Sequence, residues 1–192
     1  MTTSTSTPVP GHPSPGYVAG TWDIDPVHSD VSFSVRHMMV SKVRGRLGAF
    51  SGEIVTTPRF TDSTVTASVD ASSIDTGHEQ RDGHLRSPDF FHVEDHPTWA
   101  FRSTGIRTDG DGYALDGDLT VKGVTRPVSF ALEVNGFGPD AYGGTRAGFS
   151  ATTTISRNDF GVDIAMPLDG GGVVVSDKVA VTLEIEGVLR TA

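Results

Sequence analysis

The chain has 192 residues and no cysteine, so it can form no disulfide bond and has no thiol chemistry. It also lacks a run of about 18 consecutive apolar residues, the length that a transmembrane helix requires. Basic residues are in the minority, with 15 Lys and Arg against 24 Asp and Glu and a net charge of -9. Because nucleic-acid binding relies on clustered Lys and Arg, this balance argues against a nucleic-acid partner.

The first 20 residues are rich in Thr, Ser, Pro and Gly and contain neither a basic segment nor an apolar run typical of a secretory signal. This composition predicts a disordered tail over 1–20, followed by one domain over 21–192. With no signal and no apolar span in the sequence, we expect a cytoplasmic protein.

A period of two dominates the rest of the chain and predicts β-strands. Alternation is clear at 31–37, at 64–71 and at 178–187, and Asp109-Gly110-Asp111-Gly112 is typical of a hairpin turn. The alternation stops between Met38 and Val43, where we predict a short helical or irregular crossing. The basic run Lys42–Arg46 is interpreted as a solvated loop. In total the pattern predicts eight or nine strands, and so many twisted antiparallel strands tend to close into a barrel.

The stretch 75–91 is the one segment of the sequence with a helical pattern. Thr76 and Glu79 have the spacing of a capping box, and Ser87 before Pro88 predicts the end of the helix. Leu85 is its one strongly apolar residue. We therefore expect this helix to be held by something other than burial of an apolar face.

The inward positions of the predicted strands mix large and small side chains. They are Phe33, Phe101, Phe130 and Phe149 with Ala67, Ala71, Gly117, Ala147 and Ala151. Large residues opposite small ones indicate either a tightly packed interior or an apolar cavity, and the pattern alone leaves both possible.

Candidate reactive groups are few. His92 and His96 are four residues apart, but Pro97 follows at once, and the glutamate that a zinc-binding helix needs directly after the first histidine is missing. Asp82 and His84 would form a dyad only if the tertiary structure brought them together. We therefore predict neither a metal site nor a catalytic centre.

Four ordered motifs between Thr21 and Gly187 resemble the YceI-like family of lipid-binding proteins. They are Trp22-x-Ile24-Asp25-x-x-His28-Ser29, Arg81-Asp82-x-His84-Leu85-x-Ser87-x-Asp89-Phe90-Phe91, Gly117-x-Leu119-Thr120-x-x-Gly123-Val124-Thr125 and Arg157-x-Asp159-Phe160-Gly161.

The resemblance implies an all-β fold, an extended antiparallel eight-stranded lipocalin-like barrel with one short helical insertion. It implies that the barrel encloses a polyisoprenoid, such as an isoprenoid quinone or a polyprenyl phosphate, needs no cofactor and forms a homodimer. It also favours a cavity over a packed interior. Many relatives are periplasmic, and this sequence departs from them in lacking a signal peptide. An enzyme acting on an isoprenoid, or a ligand-free stress or interaction module, are the alternatives.

On this basis we predict a ligand-binding set of apolar lining residues with polar groups at the head-group end. The set is Phe33, Val35, Arg36, His37, Met38, Met39, Ala67, Asp82, His84, Leu85, Phe90, Phe91, Trp99, Phe101, Phe149, Ala151, Phe160 and Met166. Structural roles compete at several positions. Arg81 and Asp82 could pin the helix to the barrel, His37 could be a hydrogen-bonded core histidine, and the Trp and Met side chains could be ordinary core.

Overall fold

The computed structural model describes residues 13–164 and 174–191. Most of these residues lie in antiparallel strands, joined mainly by hairpins. The described elements are β1 Gly20–Ile24, β2 Asp30–His37, β3 Ser41–Leu47, β4 Phe50–Thr56, β5 Thr64–Asp70, β6 Ile74–Asp75, α1 Glu79–Arg86, β7 Thr98–Asp109, β8 Gly112–Val121, β9 Val124–Pro139, β10 Thr145–Ser156 and β11 Val175–Leu189, with 3₁₀ turns at Phe60–Asp62, Ala71–Ser73 and Arg157–Phe160.

Eight strands close into a barrel in the order β1-β4-β5-β7-β8-β9-β10-β11. Closure comes from the pairing of β1 with the end of β11, where Trp22 is opposite Leu189 and Ile24 is opposite Gly187. All neighbouring strands are antiparallel, as hairpin connections require. The predicted all-β barrel with one short helix is confirmed.

β11 is long enough to pair with two different strands, β1 and β2, at different points along its length. Its last residues pair with β1, while the segment from Val175 to Glu184 pairs with β2. β3 pairs with β2 on the far side, and the two-residue β6 pairs with only Arg46 and Leu47 of β3. Within the described chain, the outer edge of β3 from Ser41 to Gly45 has no further strand partner. The wall is therefore interrupted at this end of the barrel, which we call the open end.

The prediction for Met38–Val43 was wrong. These residues form the turn and the beginning of β3 in a hairpin whose register places His37 opposite Ser41. The basic run Lys42–Arg46 lies in β3 and is not a loop. The alternation was hidden because the inward position between Val43 and Leu47 is Gly45, which carries no apolar side chain but is covered by the ring of Phe33.

The opposite end of the barrel, which we call the closed end, is filled by interlocking aromatic rings. The Phe60 ring meets Tyr17 at 6.1 Å and Tyr113 at 4.7 Å between centroids. The Phe137 ring meets Tyr17 at 5.1 Å and Trp22 at 5.5 Å. All four contacts are edge-to-face, the arrangement that aromatic quadrupoles favour.

Tyr17 belongs to the segment predicted as a disordered tail. Its hydroxyl donates a hydrogen bond of 2.7 Å to the carbonyl oxygen of Thr57, and its ring packs against Phe60. The packed part of the chain thus begins before Thr21. Residues 1–12 of the predicted tail lie outside the described residues.

Helix α1 is pinned to the barrel by polar contacts. Asp82, its one buried residue, accepts hydrogen bonds from the backbone amide and the hydroxyl of Thr76 at 3.0 and 2.5 Å. Arg86 donates to the carbonyl oxygens of Ser72 and Ile74. The expectation that core burial does not hold this helix is confirmed. None of the described helices is long and apolar enough to cross a bilayer.

The predicted capping box was wrong, although the predicted helix end at Ser87 is confirmed. His78 is the N-cap, and its ring nitrogen accepts from the amide of Arg81. Thr76 cannot cap because its hydroxyl already bonds to Asp82 and accepts from the Arg81 guanidinium at 2.7 Å.

Candidate ligand-binding cavity

The barrel encloses a cavity of about 270 Å³. Each of the eight barrel strands contributes at least one apolar side chain to its wall, from Ile24 on β1 to Val181 on β11. The volume is close to the lower end of the range of small-molecule pockets, roughly 300–1,000 Å³.

Part of the inward face remains uncovered by protein atoms. On β5 the inward residues Val65, Ala67 and Val69 are only half-buried, and the same holds for Val181 and Leu183 on β11. By comparison, Leu115 on β8, Phe130 on β9 and Phe149 on β10 are buried. Apolar side chains that point into a barrel and remain accessible are the signature of an unfilled interior.

Two aromatic rings that could have filled this space lie against the wall. A Cβ atom at Gly45 would come within 2.4 Å of the Phe33 ring, and one at Gly117 would come equally close to the Phe101 ring. Each ring therefore covers a glycine of the neighbouring strand. Gly117, one of the small inward residues, leaves no room for a ligand, because Phe101 occupies that room. Ala71 is fully buried and is not part of the cavity wall.

Eleven of the eighteen predicted ligand-binding residues line the cavity. They are Phe33, Val35, Ala67, Leu85, Phe90, Phe91, Trp99, Phe101, Phe149, Ala151 and Phe160.

Six predicted residues lie elsewhere, and Met166 is outside the described residues. The six are Arg36, His37, Met38, Met39, Asp82 and His84. The Asp82 carboxylate is committed to Thr76. His84 sits on the outer surface, where its Nε2 atom is 3.2 Å from Asp89 Oδ2.

Other predicted residues belong to the β2–β3 hairpin. Arg36 is exposed on the outer face, while His37 ends β2 opposite Ser41 and Val175. Met38 and Met39 are exposed in the turn that follows. The structure thus brings together the apolar residues of the predicted set, except Met38 and Met39 and apart from Met166 outside the described residues, and leaves the polar residues outside the cavity.

Several lining residues were missed by sequence reasoning. Ile54, Val65, Val69 and Val179 are apolar members of the same period-two patterns that identified the strands. Inward-facing alternation would have found them. Phe60 is different, because it lies in a 3₁₀ turn where no alternation exists.

Polar groups at the cavity wall are few and mostly engaged. The Arg157 guanidinium donates to the carbonyl oxygens of Val162, Val175 and Ser176, which ties the turn after β10 to the start of β11. The indole N–H of Trp99 is buried without a hydrogen-bond partner in the described part of the chain. The wall can therefore bind by apolar contact and offers little polar recognition.

A charged cluster lies apart from the cavity. Asp25, His28 and Glu186 have ligand atoms within 4.8 Å of one another. Arg146 occupies the centre of this cluster and donates to Asp25 Oδ2 at 2.7 Å as well as to Glu186. Its guanidinium, followed by the ring of His28, lowers the pKa of the Asp25 carboxyl far below its usual range. The acidic groups thus already have a cation, which explains the cluster as a structural ion pair.

A closed antiparallel barrel around an apolar cavity defines a lipocalin-like protein. Within this class, the chain belongs to the YceI-like family, because the YceI-like domain matches residues 22–187. The resemblance noted in the motifs is thereby confirmed.

Relatives of similar length are more than a third identical to this chain over the aligned residues. A UPF0312 protein of Vibrio cholerae is 36% identical over 170 residues, covering 88% of this chain and 86% of the relative. A UPF0312 protein of Ectopseudomonas mendocina is 39% identical over 165 residues, covering 84% and 82%.

Solved structures show the same fold at lower identity. Burkholderia cenocepacia BcnA superposes with a TM-score of 0.74 at 22% identity, over 85% of this chain and 98% of that one. A polyisoprenoid binding domain from Saccharophagus degradans superposes with a TM-score of 0.65 at 16% identity, over 90% of this chain and all of the other.

Proposed function

We propose that this protein binds a polyisoprenoid lipid and holds the prenyl tail in the barrel cavity. The observation that carries the proposal is the wall itself, which is apolar on all eight strands and only half-covered along β5 and β11. The structural neighbour described as a polyisoprenoid binding domain supports the choice of ligand class.

Burial of a prenyl tail supplies enough free energy for specific binding. Each methylene transferred from water contributes about 0.8 kcal/mol before the cost of ordering is subtracted. A cavity of about 150 Å³ can hold one benzene molecule. The cavity of about 270 Å³ here therefore holds on the order of two isoprene units, and a longer tail would extend toward the open end.

We place the head group at the open end, because aromatic rings fill the closed end. An isoprenoid quinone or a polyprenyl phosphate has the required form, a long apolar tail with one polar group that stays in water. Such a carrier would serve transport, storage or sequestration of the lipid.

Binding without turnover is the activity proposed. His84 and Asp82, the pair considered for a dyad, face Asp89 and Thr76 and not the cavity. The family resemblance also leads us to propose a homodimer, which sedimentation equilibrium would measure.

Organic extraction of the purified full-length protein followed by mass spectrometry tests the proposal. A prenyl lipid should be released in an amount comparable to the protein. Extraction of the Ala151→Phe variant, in which the cavity is filled, is the control for lipid on the outer surface. A protein that carries no prenyl lipid, and takes none up after delipidation, would exclude a carrier.

A further inference from the structure

The β2–β3 hairpin differs in charge from the rest of the molecule. No aspartate or glutamate occurs between Asp30 and Glu53, although the chain contains 24 acidic residues. Within this stretch Arg36, Lys42 and Arg44 are all exposed. A strongly acidic protein therefore carries one local basic surface.

These basic side chains of the hairpin lie close together, and acidic side chains do not neutralise their charge in the described part of the chain. Arg36 is directly opposite Lys42 in the register of the two strands, and like charges in that position destabilise a sheet. Within 13–164 and 174–191, Arg36, Lys42 and Arg44 form no ion pair, while Arg46 reaches Asp75 at 3.3 Å. Folding alone gives no reason for this arrangement.

The turn of the hairpin is apolar and exposed. Met38, Met39 and Val40 are 44%, 56% and 84% accessible, and they are three of the six large hydrophobic side chains exposed in the described part of the chain. Both methionines have left-handed backbone angles, with φ of 50° and 61°. Turns favour Asn or Gly at such positions, so methionine is unfavourable there for the backbone conformation. Exposure of its apolar side chain to water is unfavourable as well.

This turn projects just beyond the open end. Val35 lines the cavity, and Met38 follows it by three residues, about 10 Å along an extended strand. The amide of Met38 donates to the carbonyl oxygen of Val174 at 2.8 Å, which fixes the turn next to the start of β11.

We propose that the β2–β3 hairpin docks the protein on a bilayer that contains anionic lipids. Met38, Met39 and Val40 insert among the acyl chains, while Arg36, Lys42 and Arg44 bind the lipid phosphates. The acidic remainder of the molecule is repelled by the same surface and orients the open end toward it. This adds a partner to the proposed function, and docking itself needs no ligand in the cavity.

Protection of an exposed strand edge is the competing explanation for the basic residues. Charged side chains on an edge strand do prevent pairing with other sheets. That explanation does not account for the apolar turn, which would promote association. Basic side chains next to an exposed apolar turn fit a membrane interface, because the basic groups bind lipid phosphates and the apolar side chains insert among acyl chains.

Co-sedimentation of the full-length protein with lipid vesicles tests the proposal. Vesicles of phosphatidylcholine mixed with phosphatidylglycerol should bind the protein, and added salt should weaken that binding because it screens charges. Vesicles of phosphatidylcholine alone should bind about a hundredfold less or not at all, since each of the three basic residues contributes about fivefold near an anionic surface.

Two variants of the hairpin, each with a matched control, make the test specific. Met38→Ser with Met39→Ser should reduce vesicle binding at least about tenfold, whereas Val27→Ser with Tyr142→Ser removes two even more exposed apolar side chains elsewhere and should not change it. Arg36→Glu with Lys42→Glu should abolish binding. Arg102→Glu with Arg126→Glu, exposed on β7 and β9, alters the net charge equally and should reduce binding much less.

Uptake of a dispersed prenyl alcohol and circular dichroism show whether each variant is folded and whether its cavity is intact. Vesicle binding that is unchanged in both hairpin variants, or equal on neutral and anionic vesicles, would overturn the proposal. Loss of a dimer in Met38→Ser with Met39→Ser, with unchanged vesicle binding, would instead assign the turn to contact between two copies. Vesicle binding without prenyl uptake would leave docking standing and refute the carrier.

Discussion

The two ends of the barrel are built differently, although most of the barrel strands run through both. At the closed end, aromatic rings from three strands, a 3₁₀ turn and Tyr17 interlock edge to face. At the open end, the outer edge of β3 from Ser41 to Gly45 has no strand partner within the described chain, and a helix held by hydrogen bonds lies beside this gap. Buried apolar side chains lie at both ends, but interlocking rings seal the closed end, whereas the open end leaves a route to the cavity.

The difference has a physical consequence for dynamics. Local opening requires little free energy where few apolar side chains are buried and where contacts are polar and exposed. Helix α1 itself meets this description, since Asp82 is its one buried residue. We therefore expect ligand entry to involve the open end, while the aromatic cluster remains intact.

Removing one phenylalanine from each end should have the largest effect on stability and should show how differently the two ends are packed. Phe60 is 2% exposed within the aromatic cluster, so Phe60→Ala should lower the free energy of unfolding by about 3–5 kcal/mol. Phe33 lines the cavity and is half-buried, so Phe33→Ala should lower it by roughly half as much. Urea denaturation measures both. Equal losses would mean that the two ends are equally packed.

Filling the cavity should have the next largest effect, on binding. Ala151→Phe should weaken prenyl binding by about a hundredfold, or about 2.7 kcal/mol, with less loss of stability than overpacking of a solid core causes, because Ala151 lines the cavity. Ala147 lies on the same face of β10 but outside the cavity wall, and it is 1% exposed. Ala147→Phe should destabilise the fold by about 1–3 kcal/mol through overpacking. If Ala151→Phe destabilises as much as Ala147→Phe, the interior is solid.

The polar attachment of α1 predicts a smaller effect. Asp82→Ala leaves the amide and hydroxyl of Thr76 without their acceptor and should cost about 1–3 kcal/mol of stability. Glu79→Ala, an exposed acid of the same helix, should cost no more than about 0.5 kcal/mol. Thermal unfolding compares them. Prenyl affinity should change little in either variant, and a loss of affinity confined to Asp82→Ala would assign this residue to the ligand.

Lowering the pH should destabilise the fold, because it protonates Asp25 in the ion pair outside the cavity. This effect should be the smallest. The Arg146 guanidinium lowers the pKa of Asp25 in the folded state, so this carboxylate stabilises the fold fully above its unfolded pKa of about 4. Its contribution is lost as pH falls from there through the folded pKa. Asp25→Asn should cost about 1 kcal/mol at neutral pH and should give a shallower decline of stability below about pH 4. Parallel pH profiles would contradict this.

Alternation made most of the fold predictable from sequence, because every second residue of a barrel strand must face the interior. It failed at β3, where Gly45 interrupts the apolar series and Phe33 from the next strand supplies the missing bulk. The capping-box pattern failed at the helix start. Thr76 and Glu79 have the spacing of that motif, but the fold directs the Thr76 hydroxyl to Asp82.

The residues of the candidate site likewise divide into those that strand periodicity predicts and those that it does not. Apolar members such as Val35 and Ala151 were predictable, since their direction follows from strand periodicity. Polar members were not, because charge indicates what a side chain can bind but not where it points. His84 was chosen for its chemistry and lies outside the cavity. The apolar Met39 was wrongly included for another reason, because it lies in an exposed turn where strand periodicity gives no direction.

Isothermal titration of the delipidated protein with prenyl alcohols of increasing length tests the central claim most directly. We predict saturable binding of one alcohol per chain that tightens steeply over the first two or so isoprene units, by up to about 0.8 kcal/mol per buried methylene, and more slowly beyond them. The heat capacity change should be negative, as burial of apolar surface requires. An affinity that does not depend on tail length, or no binding at any length, would contradict the account.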